Sequence, residues 1–252
     1  MARGSRGKLS GIRGCPIAQL RALREHFAFS VLRVGLSIGS GKGIDPVHLS
    51  AVKKLCDWLS PAQFSEHLAW STHEVGFLND LLLLPYDTAT LHRVVAHIDL
   101  VQTTFGRQML LENPSSYLGF QHSTYDECEF LTEIANRTGC NLLLDVNNVF
   151  VSCENMGWEI ERYIDAYPMH LIGEIHLGGH DEEINEAGQK LLIDTHGAPV
   201  TDPVWELYKR VIAKTGPLPI LIEWDTDVPE WDTLYHDVTR AAQVIAPQRA
   251  VA

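Results

Sequence analysis

Short apolar runs alternate with longer amphipathic segments along the chain, and this alternation leaves few folds open to it. Runs of this length, rich in leucine, isoleucine and valine, are typical of strands that are buried on both faces. Alternation of strands with helices predicts a mainly parallel sheet covered by helices. The runs are SVLRVGLSIG (30–39), FSEHLAW (64–70), MLLEN (109–113), NLLLDVNN (141–148), LIGEIHLGG (171–179), KLLIDTHG (190–197) and PILIEWD (219–225).

The segments that separate these runs have apolar residues at helical spacing. A further helix is predicted ahead of the first run, over residues 17–28. Ser123 is a plausible N-cap, and Gly106, Gly139 and Gly216 stand where three helices should end. The other predicted helices cover residues 47–59, 88–106, 123–139, 157–168 and 202–216.

The predicted fold class is α/β, a TIM-like (β/α)8 barrel. A length of 252 residues suits one such domain. Seven strand candidates are found where a closed barrel has eight, so we expect the first β/α unit to be lacking or replaced. Residues 1–16 are glycine-rich and basic, which predicts a disordered segment, and residues 17–246 should form the barrel domain.

Composition and charge exclude several classes of protein. The net charge of −12 argues against a nucleic-acid partner. The chain contains neither an apolar run of about 18 residues nor a signal-peptide pattern, which predicts a cytoplasmic protein without a membrane partner. The five cysteines form no CxxC pair, so neither a zinc knuckle nor a disulfide framework is indicated. The nucleotide-binding glycine motifs GxGxxG and GxxxxGK[ST] are absent as well.

Acidic, imidazole and amide side chains stand at the ends of six of the runs. In a β/α barrel the carboxyl ends of the strands meet at one mouth, where active sites lie. So many acids in one small volume would repel one another unless cations were bound. Ligation by Asp, Glu, His and Asn without Cys favours iron, manganese or zinc. The residues concerned are Glu66, His67, Glu112, Asn113, Asp145, Asn147, Asn148, Glu174, His176, His180, Asp194, His196, Glu223 and Asp225.

Other candidates have weaker support. His92 and His97 lie in a predicted helix and His48 begins one, which favours surface roles. His73 could approach the mouth. Asn79, Asp80, Pro85 and Tyr86 fall in a long loop over the same mouth, where they could contact a substrate or only pack.

Seven ordered segments, between about residue 34 and residue 240, resemble the multinuclear non-haem iron-dependent oxidative enzymes, a family that includes the methanobactin biosynthesis enzyme. The resemblance implies a TIM barrel that holds two or three irons and uses O2 to modify cysteines in ribosomally made precursor peptides. It also implies a separate partner protein that recognises the peptide. The segments are SEHLAWS (65–71), LNDLLLLPY (78–86), LLENPSSY (110–117), LLLDVNN (142–148), GEIHLGGH (173–180), LLIDTHGAPVTDPVW (191–205) and LIEWDTD (221–227).

The same resemblance implies a set of site residues. Glu112, Asp145 and His176 are the implied catalytic residues, and Glu112 or Asp145 would bridge metals because a carboxylate has two oxygens. Glu174 and His180 are second choices as ligands. The implied iron ligands are His67, Glu112, Asp145, Asn148, His176, Asp194, His196, Glu223 and Asp225.

The chain departs from the family pattern at Leu32 and Arg33, where His-Gly is usual before the VGLS segment. That histidine is an iron ligand in the family, and a leucine cannot replace it. An arginine near the mouth would oppose metal binding. A catalytically impaired homologue that retains metal or partner binding is therefore one alternative. The other is a zinc- or manganese-dependent hydrolase or isomerase on a related barrel.

Overall fold

The computed structural model describes residues 15–73, 76–184, 186 and 188–249. The predicted disordered segment therefore lies outside the described residues except for Cys15 and Pro16, which begin the first helix. The helices are α1 Cys15–Arg24, α2 Pro46–Leu59, α3 Thr88–Phe105, α4 Glu127–Thr138, α5 Val146–Met156, α6 Ile160–Ala166, α7 Asp202–Thr215 and α8 Trp231–Arg249. The strands are β1 Ser30–Arg33, β2 Gln63–His67, β3 Trp70–His73, β4 Gly76–Leu82, β5 Leu110–Glu112, β6 Asn141–Asp145, β7 Ile172–Leu177, β8 Asp181–Ile184, β9 Lys190–Ile193 and β10 Ile220–Ile222.

Six of the described strands form one parallel sheet in the order β1-β2-β5-β6-β7-β10. This order follows the chain, as in a β/α barrel, and confirms the predicted TIM-like fold class. Successive side chains of a strand point to opposite faces of the sheet. Phe64, Leu111 and Leu144 belong to the large core cluster that includes residues of the surrounding helices. Leu32, Leu110 and Leu143 form a separate small cluster.

The apolar run at 190–197 contains a strand, β9, as predicted. The prediction that this strand belongs to the barrel sheet is wrong. β9 pairs antiparallel with β8 in a separate two-stranded sheet. All four residues of β8 are exposed, and Lys190 forms an ion pair with Glu182 at 2.7 Å across the hairpin. A strand of a parallel barrel is covered on both faces, whereas β8 and β9 form a half-solvated antiparallel hairpin. The local sequence of β9 does not distinguish between these two kinds of strand.

The predicted loop between residues 71 and 86 also contains a hairpin. β3 and β4 pair antiparallel, with an irregularity between Trp70 and Thr72. Helices α5 and α8 and strands β3, β4 and β8 were not among the elements predicted from the sequence.

Helix boundaries follow from capping groups. Gly106, Gly139 and Gly216 end α3, α4 and α7 as predicted, the first two in left-handed conformation. The predicted start at Ser123 is wrong, because Asp126 and Glu129 form a capping box that starts α4 at Glu127. The apolar run 141–148 is divided: β6 ends at Asp145, which caps α5 through its Oδ1, 2.7 Å from the Asn148 amide nitrogen. The helices predicted over 17–28 and 157–168 are shorter, at Cys15–Arg24 and Ile160–Ala166.

Candidate metal centre

Polar side chains stand at the carboxyl ends of five neighbouring strands and are buried there. Three of them end β2, β5 and β6, one lies next to the last residue of β7, and the fifth follows β10 directly. Register places them side by side, since His67 pairs with Glu112 and Asp145 with His176. At most 6% of the surface of any of them is accessible. They are His67, Glu112, Asp145, His176 and Glu223.

Two groups of ligand atoms converge at these strand ends. Glu112, Asp145 and His176 each offer one atom within 4.8 Å of the others, and so do Asp145, His196 and Glu223. Asp145 belongs to both groups. Because a carboxylate has two oxygens, Asp145 can contribute to two neighbouring cation positions.

His67 stands beside the first group. Its Nδ1 lies 3.0 Å from the carbonyl oxygen of Arg33, and a carbonyl only accepts, so Nδ1 donates. Its Nε2 is then directed at Glu112 Oε2, 3.0 Å away. A proton or a cation must lie between these two atoms, because a lone pair and a carboxylate oxygen would otherwise repel each other.

His196 connects the second group to the rim of the mouth. Its Nε2 lies 2.7 Å from Asp194 Oδ1, and its Nδ1 lies 3.2 Å from Asp225 Oδ2. Asp194 and Asp225 are partly exposed, with 17% and 19% of their side-chain surfaces accessible. His196 has φ of 48°, and a Cβ on Gly178 would overlap with its Cδ2. The imidazole therefore occupies space that is left by the absence of a side chain at position 178.

Burial changes the acidity of the two central carboxyl groups. Burial is the main cause that raises the pKa of Asp145 to about 7; the Asp194 charge acts in the same direction, and His196 and His176 oppose it. Burial also raises the pKa of Glu112 well above its usual range, with further increases from Asp145 and Glu223. The two carboxyl groups thus retain protons that a bound cation would displace.

The two central imidazoles have the opposite tendency. Burial by itself lowers the pKa of His176, but hydrogen bonds with Glu174 and Glu223 outweigh it and raise that pKa to about 10. The pKa of His196 is also raised, because Asp194, Asp225 and Glu223 outweigh its burial. The same two imidazoles hold the pKa of Glu223 below its usual range in spite of burial. Protons on Glu112, His176 and His196 thus reduce the repulsion between neighbouring carboxylates.

The remaining predicted site residues lie close by but are engaged with protein groups. Asn148 accepts a hydrogen bond from Ser115 at 2.6 Å and donates to the Asn113 carbonyl at 2.9 Å. Glu174 accepts from Ser30 at 2.6 Å, and its Oε1 lies 3.7 Å from Nε2 of His176.

His180 belongs to a chain of contacts at the rim. Its Nδ1 lies 2.7 Å from Asn147 Oδ1, and the Asn147 amide donates to Asp194 at 2.8 Å. Because the amide nitrogen faces Asp194, the amide oxygen faces His180, whose Nδ1 therefore donates. Burial lowers the pKa of His180.

Glu66, which the sequence places at the end of a run, is buried, accepts a hydrogen bond from the Leu36 amide at 3.0 Å, and has its pKa raised to about 8 by burial. Two other side chains beside the centre, Ser115 and Tyr117, were not singled out as site residues from the sequence. Tyr117 accepts from the Asp194 amide through its hydroxyl at 3.0 Å. Ser115 and Tyr117 belong to the LLENPSSY segment. Their position directly after the end of a strand could have indicated that they lie near the site.

The two positions that depart from the family pattern face different surroundings. Leu32 packs with Leu110 and Leu143 and contributes no polar atom. Arg33 is next in β1; burial raises the pKa values of Glu66 and of Cys56 in α2, and the Arg33 charge opposes both increases.

The residues with weaker support from the sequence are found in several different parts of the fold. His73 and Asp80 are exposed on the β3–β4 hairpin, and the side chain of Asn79 lies outside the described residues. Tyr86 donates to Glu127 at 2.9 Å. His92 is exposed, whereas His97 is half-buried with its Nδ1 2.7 Å from the Ile38 carbonyl oxygen. In the described part of the chain, no helix is long and apolar enough to cross a membrane.

Fold and site together define an α/β-barrel protein with a candidate metal centre at the carboxyl ends of its strands. The chain belongs to the family of RiPP precursor modification enzymes MbnB/TglH/ChrH, whose family model matches residues 8–246. RiPPs are ribosomally made peptides that are modified after translation. Family membership thereby confirms the resemblance found in the sequence and indicates an enzyme that acts on peptides.

Similar proteins agree with this assignment. A UPF0276 protein of Rhizobium meliloti is 48% identical over 240 residues, which are 95% of this chain and 77% of that protein. A UPF0276 protein of Caulobacter vibrioides is 48% identical over 233 residues, with 92% and 82% covered.

Among solved structures, a xylose isomerase-like TIM barrel protein from Mycobacterium smegmatis, in complex with magnesium, has a TM-score of 0.60 at 13% identity. The match covers 92% of this chain and 78% of the Mycobacterium smegmatis chain. A xylose isomerase domain protein from Salmonella typhimurium has a TM-score of 0.56 at 13% identity, with 91% and 80% covered. At this identity the likeness shows the fold alone.

Proposed function

We propose that this protein is a multinuclear non-haem iron enzyme that uses O2 to oxidise cysteine residues of a ribosomally made precursor peptide. The observation that carries the proposal is the sharing of Asp145 by two buried groups of ligand atoms, Glu112–Asp145–His176 and Asp145–His196–Glu223. One shared carboxylate between two such groups suits a cluster of cations better than a single ion. Membership of a peptide-modifying family supplies the class of substrate.

The residues present fit such a cluster. Asp145 Oδ2 is buried, takes part in no hydrogen bond among the described residues, and lies 3.9 Å from His196 Nε2. A buried carboxylate oxygen without a hydrogen bond is costly unless a cation or a proton satisfies it. Mixed carboxylate and imidazole donors without thiolate suit iron. Glu112, Asp145 and His176 would hold one ion, and Asp145, His196 and Glu223 a second, with His67, Asp194 and Asp225 as further ligands.

The bound irons would supply the redox chemistry, with O2 as the oxidant and the cysteine as the group oxidised. The protein's part is to compensate charge and to fix direction. Glu112, Asp145 and Glu223 offset the charge of the cations in a buried volume, where such attraction is strong. The Arg33 carbonyl holds Nδ1 of His67, so that Nε2 is directed at the cluster.

The rim residues complete this arrangement. Asn147 orients both Asp194 and His180 through the two ends of its amide. His180 then keeps its proton on Nδ1, which leaves Nε2 as a hydrogen-bond acceptor at the rim. We propose a separate partner protein for peptide recognition on the basis of the family resemblance. A cytoplasmic location is proposed because the sequence has no apolar run of transmembrane length.

Metal analysis tests the first half of the proposal. The protein is purified under anaerobic conditions and its metals are measured per chain by mass spectrometry. Two or more irons per chain are expected, and a preparation that binds only zinc after exposure to both metals would refute an iron enzyme.

Peptide assays test the second half. Short cysteine-containing reading frames beside the gene are expressed with this protein and with any partner encoded there. Exposure to O2 should change the mass of the peptide only when its cysteine is present. A peptide with Ser in place of that Cys is the matched control, and an equal mass change in both peptides would contradict cysteine oxidation.

A further inference from the structure

The segment 113–120, which follows β5, has two different faces. Asn113, Ser115 and Tyr117 contact the metal-centre side, through Asp145, Asn148 and Asp194 respectively. Ser116 and the residues that follow Tyr117, namely Leu118, Gly119 and Phe120, line a separate cavity. One short stretch of backbone therefore forms a wall of both the candidate metal centre and the cavity.

The cavity has a volume of about 730 Å³ and lies between the start of α4 and the α5–α6 connection. This volume is within the range of cavities that bind small ligands. Much of its wall is aromatic, including Phe120, Tyr125 and Trp158. Trp158 stacks on Tyr163 with ring centroids 6.3 Å apart and an interplanar angle of 13°. Leu118 is 54% exposed and Trp158 36%, so large apolar surfaces remain in contact with water at its edge.

The inner end of the cavity is built around Glu127, which is buried. Tyr163 donates to its Oε1 at 2.5 Å, and Tyr86 and Ser116 donate to its Oε2 at 2.9 and 3.4 Å. These three hydroxyl protons are committed to the carboxyl group, so the hydroxyls can offer only lone pairs to a ligand. Asp126 and Glu159 add negative charge to the lining, against one positive charge from Arg162.

We propose that this cavity binds an aromatic, non-acidic side chain of the peptide substrate and thereby directs the neighbouring cysteine along segment 113–120 to the metal centre. The inference deepens the proposed function and rests on it for the identity of the ligand. Aromatic walls favour an aromatic ligand through stacking. The excess of acidic groups and of lone pairs opposes an acidic side chain. The shared wall connects occupancy of the cavity with the position of the reacting residue.

Binding of a small probe tests the cavity without metal, O2 or a known substrate. N-acetyl-L-phenylalaninamide is titrated into the full chain, and binding is followed by ligand-observed NMR. We expect saturable binding with a Kd of about 1 mM, typical of a ligand of this size. N-acetylglycinamide has the same backbone without the ring and should bind at least tenfold more weakly.

Substitution locates the bound probe. Gly119→Trp places a large ring at the cavity, where an added Cβ meets only Met156 Cε, at 3.3 Å. It should weaken binding at least tenfold. Gly41→Trp is the matched control, since Gly41 is exposed and a Cβ there has nothing within 4 Å. Leu118→Gln, at an exposed apolar position, should weaken binding about threefold, because it removes apolar surface from the edge of the cavity.

Equal binding by Gly119→Trp and the unaltered chain, or an equal effect of both tryptophan variants, would overturn the proposal. Failure of the probe to saturate would overturn it as well. Binding that is abolished in Gly119→Trp without any cysteine oxidation in the peptide assay would support the cavity as an aromatic site and would contradict the proposed function instead. Where oxidation is observed, Gly119→Trp should raise KM at least tenfold with kcat little changed, and an unchanged KM would refute the link to the substrate.

Discussion

Oδ2 of Asp145 lies 3.9 Å from Nε2 of His196, and both atoms are buried among the carboxylates of neighbouring strands. Asp145 ends a strand of the parallel sheet, whereas His196 lies beyond β9, outside that sheet. The β8–β9 excursion thus returns a histidine to the strand ends and completes the second ligand group. This relationship gives Asp145 its position between two candidate cation sites.

Asp145→Asn should lose both metals, because it removes the one carboxylate common to both groups. Glu112→Gln removes a member of the first group and Glu223→Gln a member of the second, so each should lose about half of the bound metal. Metal per chain is measured by mass spectrometry after dialysis. Glu25→Gln, at an exposed position, is the control. Retention of half of the metal in Asp145→Asn would refute its bridging position.

Gly178→Ala should reduce metal binding by the second group with little change in folding. An added Cβ would overlap with Cδ2 of His196, so the imidazole must move. We expect at least a tenfold loss of affinity for the more weakly held ion, measured by competition with a chelator, and an unaltered circular dichroism spectrum. Gly41→Ala is the control, because its Cβ meets open space. Equal affinities in the two variants would show that His196 is not held by contact with Gly178.

Glu127→Gln should make stability less dependent on pH. Burial raises the pKa of Glu127 to about 7, although hydrogen bonds from Tyr163, Tyr86 and Ser116 oppose this. Between its unfolded pKa and about 7, the folded protein binds the extra proton, so this group's contribution to stability falls as pH rises through that window. The linkage is at most about 3 kcal/mol.

Urea denaturation at pH 5 and pH 7.5, with a chelator present, measures this effect. The unaltered protein should lose more stability than Glu127→Gln over the interval, and Glu25→Gln should behave like the unaltered protein. A steeper pH dependence in Glu127→Gln would show that the sign of the shift is wrong.

Asp126→Ala should destabilise the protein by about 1 kcal/mol, the usual effect of losing an N-cap. Asp126 Oδ1 accepts from the Glu129 amide at 2.8 Å, and the Glu129 side chain accepts from the Asp126 amide at 3.2 Å. Asp126→Asn keeps an acceptor and should restore most of the loss. Thermal and urea denaturation provide the measurement. Equal stability of the Ala and Asn variants would mean that the capping box contributes nothing measurable.

The apolar runs and the residues that end them predicted the class of fold and a set of candidate site residues. Apolar runs with the length of buried strands, separated by amphipathic helices, are compatible with few arrangements other than a parallel α/β sheet. In that arrangement the carboxyl ends of the strands lie at one edge of the sheet. The positions of Glu112, Asp145 and His176 at strand ends therefore predict that these side chains lie close together. The ends of α3, α4 and α7 could be predicted at glycines because helix termination depends on local backbone conformation.

Features that depend on contacts between distant parts of the chain could not be predicted from the sequence. The run 190–197 was predicted as a strand of the barrel sheet, yet β9 pairs with the exposed strand β8 in a separate hairpin, because strand pairing depends on partners that are distant in the barrel. Asn148 was a candidate ligand by position, but its amide contacts Ser115 and the Asn113 carbonyl. The sharing of Asp145 between two groups also appears only when His196 is brought back to the strand ends. The spacing of apolar residues along the chain indicates which face of a strand or helix a side chain occupies. Strand pairing and the sharing of Asp145 depend instead on distances between residues that are far apart in sequence.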